Sequence, residues 1–283
     1  MIKIIFFKLL RRWKFGKSLN FSFKININNV YFTIPVIYQI GFEHTSISEL
    51  WMINIFKKII SINTGSFYDV GVNTGQTLLK LKSVNPGISY IGFEPNPKCI
   101  FYVDELIKAN NFTDIKLLPV GLMSENALLE LNFFSEADTD SAASLISNFR
   151  PNEKTYFSKY VPALNYNSLR LPKDKIGILK IDVEGAELFV IEALFEKIRI
   201  DKPIILMEIL PCHSSIEIDR IERQKKMEDY FRNLNYKIYR IQKGQETIGI
   251  QYISTIEMHS DMNLCEYIIV PDKFEKLIVN AFL

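Results

Sequence analysis

Cysteine is scarce: Cys99, Cys212 and Cys265 stand far apart with no CxxC pair, which excludes a zinc-ribbon pattern and a disulfide framework. Such usage fits a reducing, cytoplasmic setting. Histidine is equally thin, and His44, His213 and His259 are too scattered to form a metal motif. Glycine (12) and proline (11) are nowhere concentrated into a linker that would divide the 283 residues. Charge of one sign is lacking too: 34 basic and 32 acidic side chains leave +2, which gives no support to a nucleic-acid partner. The apolar fraction of 48% and charged fraction of 23% are those of a globular chain with a sizeable core, and they exclude disorder.

Around this ordinary background one stretch organises the rest. Phe67-Tyr68-Asp69-Val70-Gly71-Val72-Asn73-Thr74-Gly75 reads as an apolar strand, a glycine-punctuated turn and the start of a helix over 74–84. Gly71 and Gly75 can take backbone angles closed to other residues and leave room for a ligand at the main chain. The spacing is not that of a dinucleotide fingerprint, because Asn73 and Gln76 stand where further glycines belong. Asp69 beside the turn suits a cationic ligand better than a pyrophosphate. The next strand, 88–93, ends in Glu94, 25 residues after Asp69, near the spacing at which an acid grips ribose hydroxyls in doubly wound folds. Asn96 is a natural N-cap, with Pro97 opening a helix to Ala109.

Three segments, Asp-Val-Gly-Val-Asn-Thr-Gly at 69–75, Phe-Glu-Pro-Asn-Pro at 93–97 and Leu-Lys-Ile-Asp-Val-Glu-Gly-Ala-Glu at 179–187, together resemble the FkbM-type methyltransferases, over about residues 66–270. The resemblance implies an α/β, doubly wound, Rossmann-like class I methyltransferase sheet over 63–283 and S-adenosyl-L-methionine as cofactor. Asp69, Gly71, Asn73 and Gly75 would then cradle its methionine end, with Glu94 on the ribose and Asn96 and Asp182 beside them. It also implies O-methylation of a glycan or natural-product hydroxyl and adenine-side contacts in the turn 121–127. Relatives usually carry Thr-Leu-Asp where this chain has Asn165-Tyr166-Asn167, so an aspartate's role in them does not transfer.

Lys180, Asp182 and Glu184 form a second chemical centre in an apolar strand, where period two would put all three on one face. Charges there are costly unless paired or used. Glu208 ends the following strand, 203–209, so that it and Asp182 are expected to face one cleft, and His213 follows five residues later. Asp182, Glu208 and His213 are the candidate proton acceptors or hydroxyl-orienting groups. Asp182, Glu184 and Glu208 also offer hard oxygens to a divalent ion.

Residues 1–62 read as an N-terminal extension. Segment 1–19 mixes Lys3, Lys8, Arg11, Arg12, Lys14 and Lys17 with apolar residues, with no run long enough to span a bilayer. It suits an amphipathic helix at the inner membrane face, or equally a basic helix packed on the domain. A hairpin is expected over 21–37, then a helix over 47–60 opened by a Ser46-x-x-Glu49 capping box, with a purely structural role. Beyond the core, 128–134 reads as an inserted strand and 136–150 as an acceptor-side loop or lid. Helices are expected over 186–197 and over 216–234, the latter with Arg220, Arg223, Lys225 and Lys226 on a solvated face, and strands over 236–241 and 265–270. Oligomeric state has no signature. The competing classes are a nicotinamide-dependent oxidoreductase on the same fold and an inactive scaffold for glycan assembly.

Overall fold

The computed structural model describes residues 20–147, 149–150, 152–171, 174–212, 217–244 and 248–283, so segment 1–19 and His213 lie outside the described residues. Strands β1 (Phe21–Ile27) and β2 (Val30–Val36) pair through a two-residue turn in which Asn28 and Asn29 both take positive φ. Asparagine tolerates that geometry, and the turn's twist matches the strands it joins. Helix α1 (Trp51–Ile59) follows, then β3 (Ser66–Val70), α2 (Gln76–Val84), β4 (Tyr90–Phe93), α3 (Pro97–Asn110) and β5 (Ile115–Leu118). The Asn96 side chain accepts from the Lys98 amide, with Pro97 at the first helical position. An insert comprises β6 (Gly121–Leu122), β7 (Ala127–Phe133) and β8 (Phe157–Leu164). The chain returns through β9 (Ile176–Ile181), α4 (Glu187–Ala193), α5 (Phe195–Asp201), β10 (Ile204–Glu208), α6 (Ile218–Asn233), β11 (Tyr236–Lys243), β12 (Ile248–Ile253), β13 (Glu266–Pro271) and α7 (Glu275–Phe282).

Eight strands form the central sheet in the order β12-β11-β13-β10-β9-β3-β4-β5, with β10, β9, β3, β4 and β5 mutually parallel. Strand β13 inserts antiparallel between β10 and β11. The strand order, with β3, β4 and β5 laid out to one side and β9 and β10 to the other, places the switch of winding direction between β3 and β9. Parallel strands must be covered on both faces, and β3 and β9 are buried along their whole lengths. On one face the core joins the β1–β2 hairpin, α1, α2, α3 and α7. The other face is closed by α4, α5 and α6. Fully buried Phe56, Phe67, Leu79, Ile191 and Phe231 lie in these layers, each contributing about 1.5–3 kcal/mol of burial.

Several expected boundaries move. The capping box does not form: α1 starts at Trp51 after Leu50, and Glu49 takes a left-handed φ of 51° because its carboxylate turns to Lys80. Helix 186–197 breaks at Leu194 into α4 and α5. The uneven stretch near Ile248 supplies an edge strand, β12, paired with β11. Arg220 is not on a solvated face; its guanidinium lies over the Phe149 ring at 4.5 Å and donates to the carbonyls of Phe149 and Pro211.

Gly71 fixes how closely the β3 and β9 exits approach. Its φ is +90°, and a Cβ there would fall 1.8 Å from the Asp182 carbonyl oxygen. Gly71→Ala is therefore expected to cost more than about 3 kcal/mol in urea unfolding, whereas Gly87→Ala, where a Cβ meets only the Asn85 side chain at 3.8 Å, should stay within about 0.5 kcal/mol. Equal midpoints for the two variants would contradict the close-approach role.

Candidate active site

At the carboxyl ends of β3, β4, β9 and β10 the chain leaves the sheet and encloses a cavity of about 280 Å³. Its floor is the turn after β3, where Gly71 and Asn73 line the space. Asn73 sits at φ 49°, its side chain accepting from the Thr74 amide at 2.7 Å. From the end of β4 comes Glu94, whose two oxygens accept from the amides of Asn73 (2.7 Å) and Asn96 (2.8 Å). One carboxylate thus ties the first loop to the second. Burial pushes Glu94 up to about 7, against those two amides, which pull it down.

Beneath the cavity runs a chain of buried polar groups. The Tyr90 hydroxyl donates to Asp69 Oδ2 at 2.7 Å, and the Lys180 ammonium stands 3.5 Å from Asp69 Oδ1 and 2.9 Å from Asp182 Oδ2. Asp182 in turn shares a hydrogen bond with Glu208. Burial alone would strip Lys180 of its proton, but Asp182 and Asp69 outweigh it and hold the ammonium above its ordinary range. Burial likewise disfavours ionised Asp182, yet Lys180 lowers it below the usual carboxylate range. Glu208 goes the other way, up to about 10, through burial and then the charges of Asp182 and Glu266. The pair accordingly shares one proton, carried by Glu208.

The remaining walls come from outside the sheet. The loop after β7 contributes Asp140, Ser141, Ala143 and Leu145. It is fastened to the turn after β9, where Ser144 Oγ donates to the Glu184 carbonyl at 2.6 Å and Arg150 meets the Glu184 carboxylate at 2.9 Å. A Cβ on Gly185 would fall 2.4 Å from the Phe149 ring, so this turn needs glycine to dock the segment. Ser48 and Glu49, just before α1, close the opposite side.

Placement of the expected residues is uneven. Gly71, Asn73, Glu94, Asn96, Asp182 and Glu208 line one cavity. Asp69 does not: it is fully buried below the lining, held by Tyr90 and Lys180, because the strand turns its side chain into the core before the loop begins. Gly75 is not in the lining either; at φ 84° it leads into α2, and a Cβ there would press on Leu106 of α3. Strand β9 ends at Ile181 and Glu184 takes φ 50°, so Lys180, Asp182 and Glu184 do not share one extended face. Glu49 was assigned no chemistry from sequence, although its pairing with buried Lys80 at 3.2 Å brings it to the wall. Its signal was faint: a lysine amid the apolar residues of α2 requires an acid from elsewhere. Among the described residues no group of three or more His, Cys, Asp or Glu side chains is arranged to hold a metal ion.

A family model described as the methyltransferase FkbM domain matches residues 69–238, more than half of the chain. The chain belongs to the FkbM methyltransferase family. The matched segment is the family's methyltransferase domain. Among curated proteins none matches it. Among solved structures it is similar to a methyltransferase FkbM from Methylobacillus flagellatus, with 13% identity, 73% of this chain and 43% of that one covered, and a TM-score of 0.44. A Thermus thermophilus 16S rRNA N2 G1207 methyltransferase in complex with AdoMet and guanosine gives 11% identity, 90% and 51% coverage and 0.45. A SAM-dependent O-methyltransferase from Thermotoga maritima gives 8%, 87% and 76%, and 0.38. The methyltransferase therefore spans less than half the length of the Methylobacillus protein. The cavity's lining has the chemistry that the S-adenosylmethionine implied by the resemblance would need: a carboxylate from Glu94, an apolar wall from Phe93, Leu122 and Val190, and acids suited to a cationic ligand.

Because Lys180 is enclosed by two acids, Lys180→Met leaves Asp69 buried without its cation and is expected to cost about 3–5 kcal/mol. Adding Asp69→Asn should recover part of that loss in denaturant unfolding. A double variant less stable than the single one would refute the pairing.

Proposed function

We propose that this methyltransferase transfers a methyl group to a hydroxyl of a glycan, as a surface polysaccharide or lipid-linked sugar, or of a natural product. The observation that carries the reading is the Asp182–Glu208 pair on the cavity wall: one ionised carboxylate held in place by Lys180 and one protonated carboxyl beside it. The bound cofactor supplies a methyl that is already activated, so the protein's tasks are to bind, to align and to exclude water. The acceptor O–H donates to Asp182, which takes the proton as the oxygen gains its methyl, while Glu208 donates to Asp182 or to a neighbouring acceptor oxygen. Lys180 keeps Asp182 ionised and oriented. The loop after β7 shields the transfer from water, a role supported by the fastening of Ser144 and Arg150 to the Glu184 turn. His213 lies outside the described residues and takes no part in this reading.

Supporting a non-nucleic acceptor, the lining contains, among the described residues, acids and no basic side chain, so a phosphodiester would meet repulsion there. The nicotinamide reading gains nothing from the loop, whose Asn73 fills the place of a phosphate-binding glycine. We place the reaction in the cytoplasm, with residues 1–19 as the segment that would reach the inner membrane face. No helix among the described residues is long and apolar enough to cross a membrane.

Two measurements test the donor and transfer sides separately. Ribose hydroxyls donate to ionised Glu94, so binding favours the deprotonated form, and S-adenosylmethionine affinity should rise with pH until it levels off above about 7. Between pH 5.5 and 7.5 the gain should be roughly 25-fold, and it should be absent in Glu94→Gln. A pH-independent wild type would remove Glu94 from donor binding. Asp182→Asn is expected to cut turnover at least about 100-fold with a smaller change in cofactor affinity; unchanged turnover would remove Asp182 from the chemistry.

A further inference from the structure

We infer that His44 is a positioning residue for the methyl donor: reaching in from the segment ahead of α1, it holds the Thr74 carbonyl and so fixes the loop after β3 in the shape that receives S-adenosylmethionine. The inference rests on the reading that this loop and Glu94 form the donor site, and it extends that site to the N-terminal extension. His44 sits in the short turn Phe42–Thr45, between the β1–β2 hairpin and α1, and is fully buried. Its Nε2 lies 3.1 Å from the Thr74 carbonyl oxygen. A carbonyl can only accept, so Nε2 carries the ring's proton. Burial lowers the imidazole to about 4, which keeps it neutral, and Nδ1 has no hydrogen-bond partner among the described residues. The ring stacks on Tyr102 of α3 with centroids 5.6 Å apart, and the Tyr102 hydroxyl donates to the Pro35 carbonyl. His44 is thus clamped between α3 and the loop.

That contact falls where the loop's shape is decided. Asn73, at φ 49°, gives its amide to Glu94 and its side-chain oxygen to the Thr74 amide. One residue on, buried Thr74 gives its carbonyl to His44. A buried carbonyl left without a donor would turn its peptide toward water, and the Asn73 amide held by Glu94 would be pulled with it. Two further contacts tie the same segment to α2. Ser48 Oγ donates to Gln76 Oε1 at 2.9 Å, and Glu49 meets Lys80 at 3.2 Å. To make that contact Glu49 takes a left-handed φ of 51°, a conformation that a glutamate adopts at a cost. Ser48 and Glu49 reach the cavity wall, whereas His44 does not, so its influence on a ligand passes through the loop.

The test measures S-adenosylhomocysteine affinity by calorimetry in the full chain and three variants. His44→Phe keeps a ring to stack on Tyr102 but loses the N–H, and His44→Gln restores an N–H near the place of Nε2. Phe231→Leu, in the layer on the other side of the sheet, shows what lost stability alone does to affinity. The expected result is a dissociation constant at least tenfold higher in His44→Phe, and within threefold of wild type in His44→Gln and Phe231→Leu. His44→Phe binding as tightly as wild type, His44→Gln binding as weakly as His44→Phe, or an equal loss in Phe231→Leu would overturn the inference. Hydrogen exchange in the wild-type chain decides it if His44→Phe does not fold. The amides of His44 and Ser46 donate to the carbonyls of Gly41 and Glu43, away from the cavity lining. They should exchange at least tenfold more slowly with ligand bound, because coupling between His44 and the donor is reciprocal; unchanged exchange would overturn the inference. Wild-type protein that binds no S-adenosylhomocysteine would remove the donor site and this inference with it, whereas binding indifferent to His44 counts against His44 alone.

Discussion

The structure depends on keeping one ammonium ion dry. Lys180 lies in the middle of the sheet, and its charge survives burial only because Asp69 stands on one side and Asp182 on the other. Tyr90 extends the chain to β4 and Glu208 extends it to β10, so four adjacent central strands contribute to one polar line. Breaking any link strands a buried charge, which makes the line a strong constraint on register at the carboxyl edge. It also has a chemical consequence: the outermost carboxylate, Asp182, is ionised and oriented before any ligand arrives.

Above that line the cavity is assembled from backbone as much as from side chains. Gly71 lets the loop after β3 lie against the Asp182 carbonyl, and Glu94 then gathers the amides of Asn73 and Asn96. The same carboxylate that organises two loops also lines the cavity. The insert completes the enclosure by resting Phe149 on Gly185 and Arg150 on Glu184. The proposed donor recognition, transfer and shielding would therefore all fall on one contiguous set of strand exits.

Much of this was legible in the chain. Period and turn residues located β1, β2, β3 and α3 closely, because asparagine turns, a proline at the first helical position and doubly buried strands leave local signatures. Glu94, Asp182 and Glu208 were recognisable as strand-end acids, and Asn96 as the cap of the helix that follows. What escaped were long-range pairings. The Ser46–Glu49 pattern matches a capping box, but Glu49 is drawn to Lys80 by the cost of leaving that lysine unpaired, and the helix starts later. Asp69 reads as a loop-facing acid until Tyr90 and Lys180 are seen around it. Strand β12 was missed because its edge position asks for little apolar alternation, and the break at Leu194 leaves no glycine or proline to mark it.

The central claim is that the loop after β3 and Glu94 together hold S-adenosylmethionine. Calorimetric titration of the purified chain with S-adenosylmethionine, S-adenosylhomocysteine and NAD tests it most directly. The account predicts saturable binding of the first two with one site per chain and no heat from NAD beyond dilution. Binding of NAD alone, or of none of the three, would contradict it.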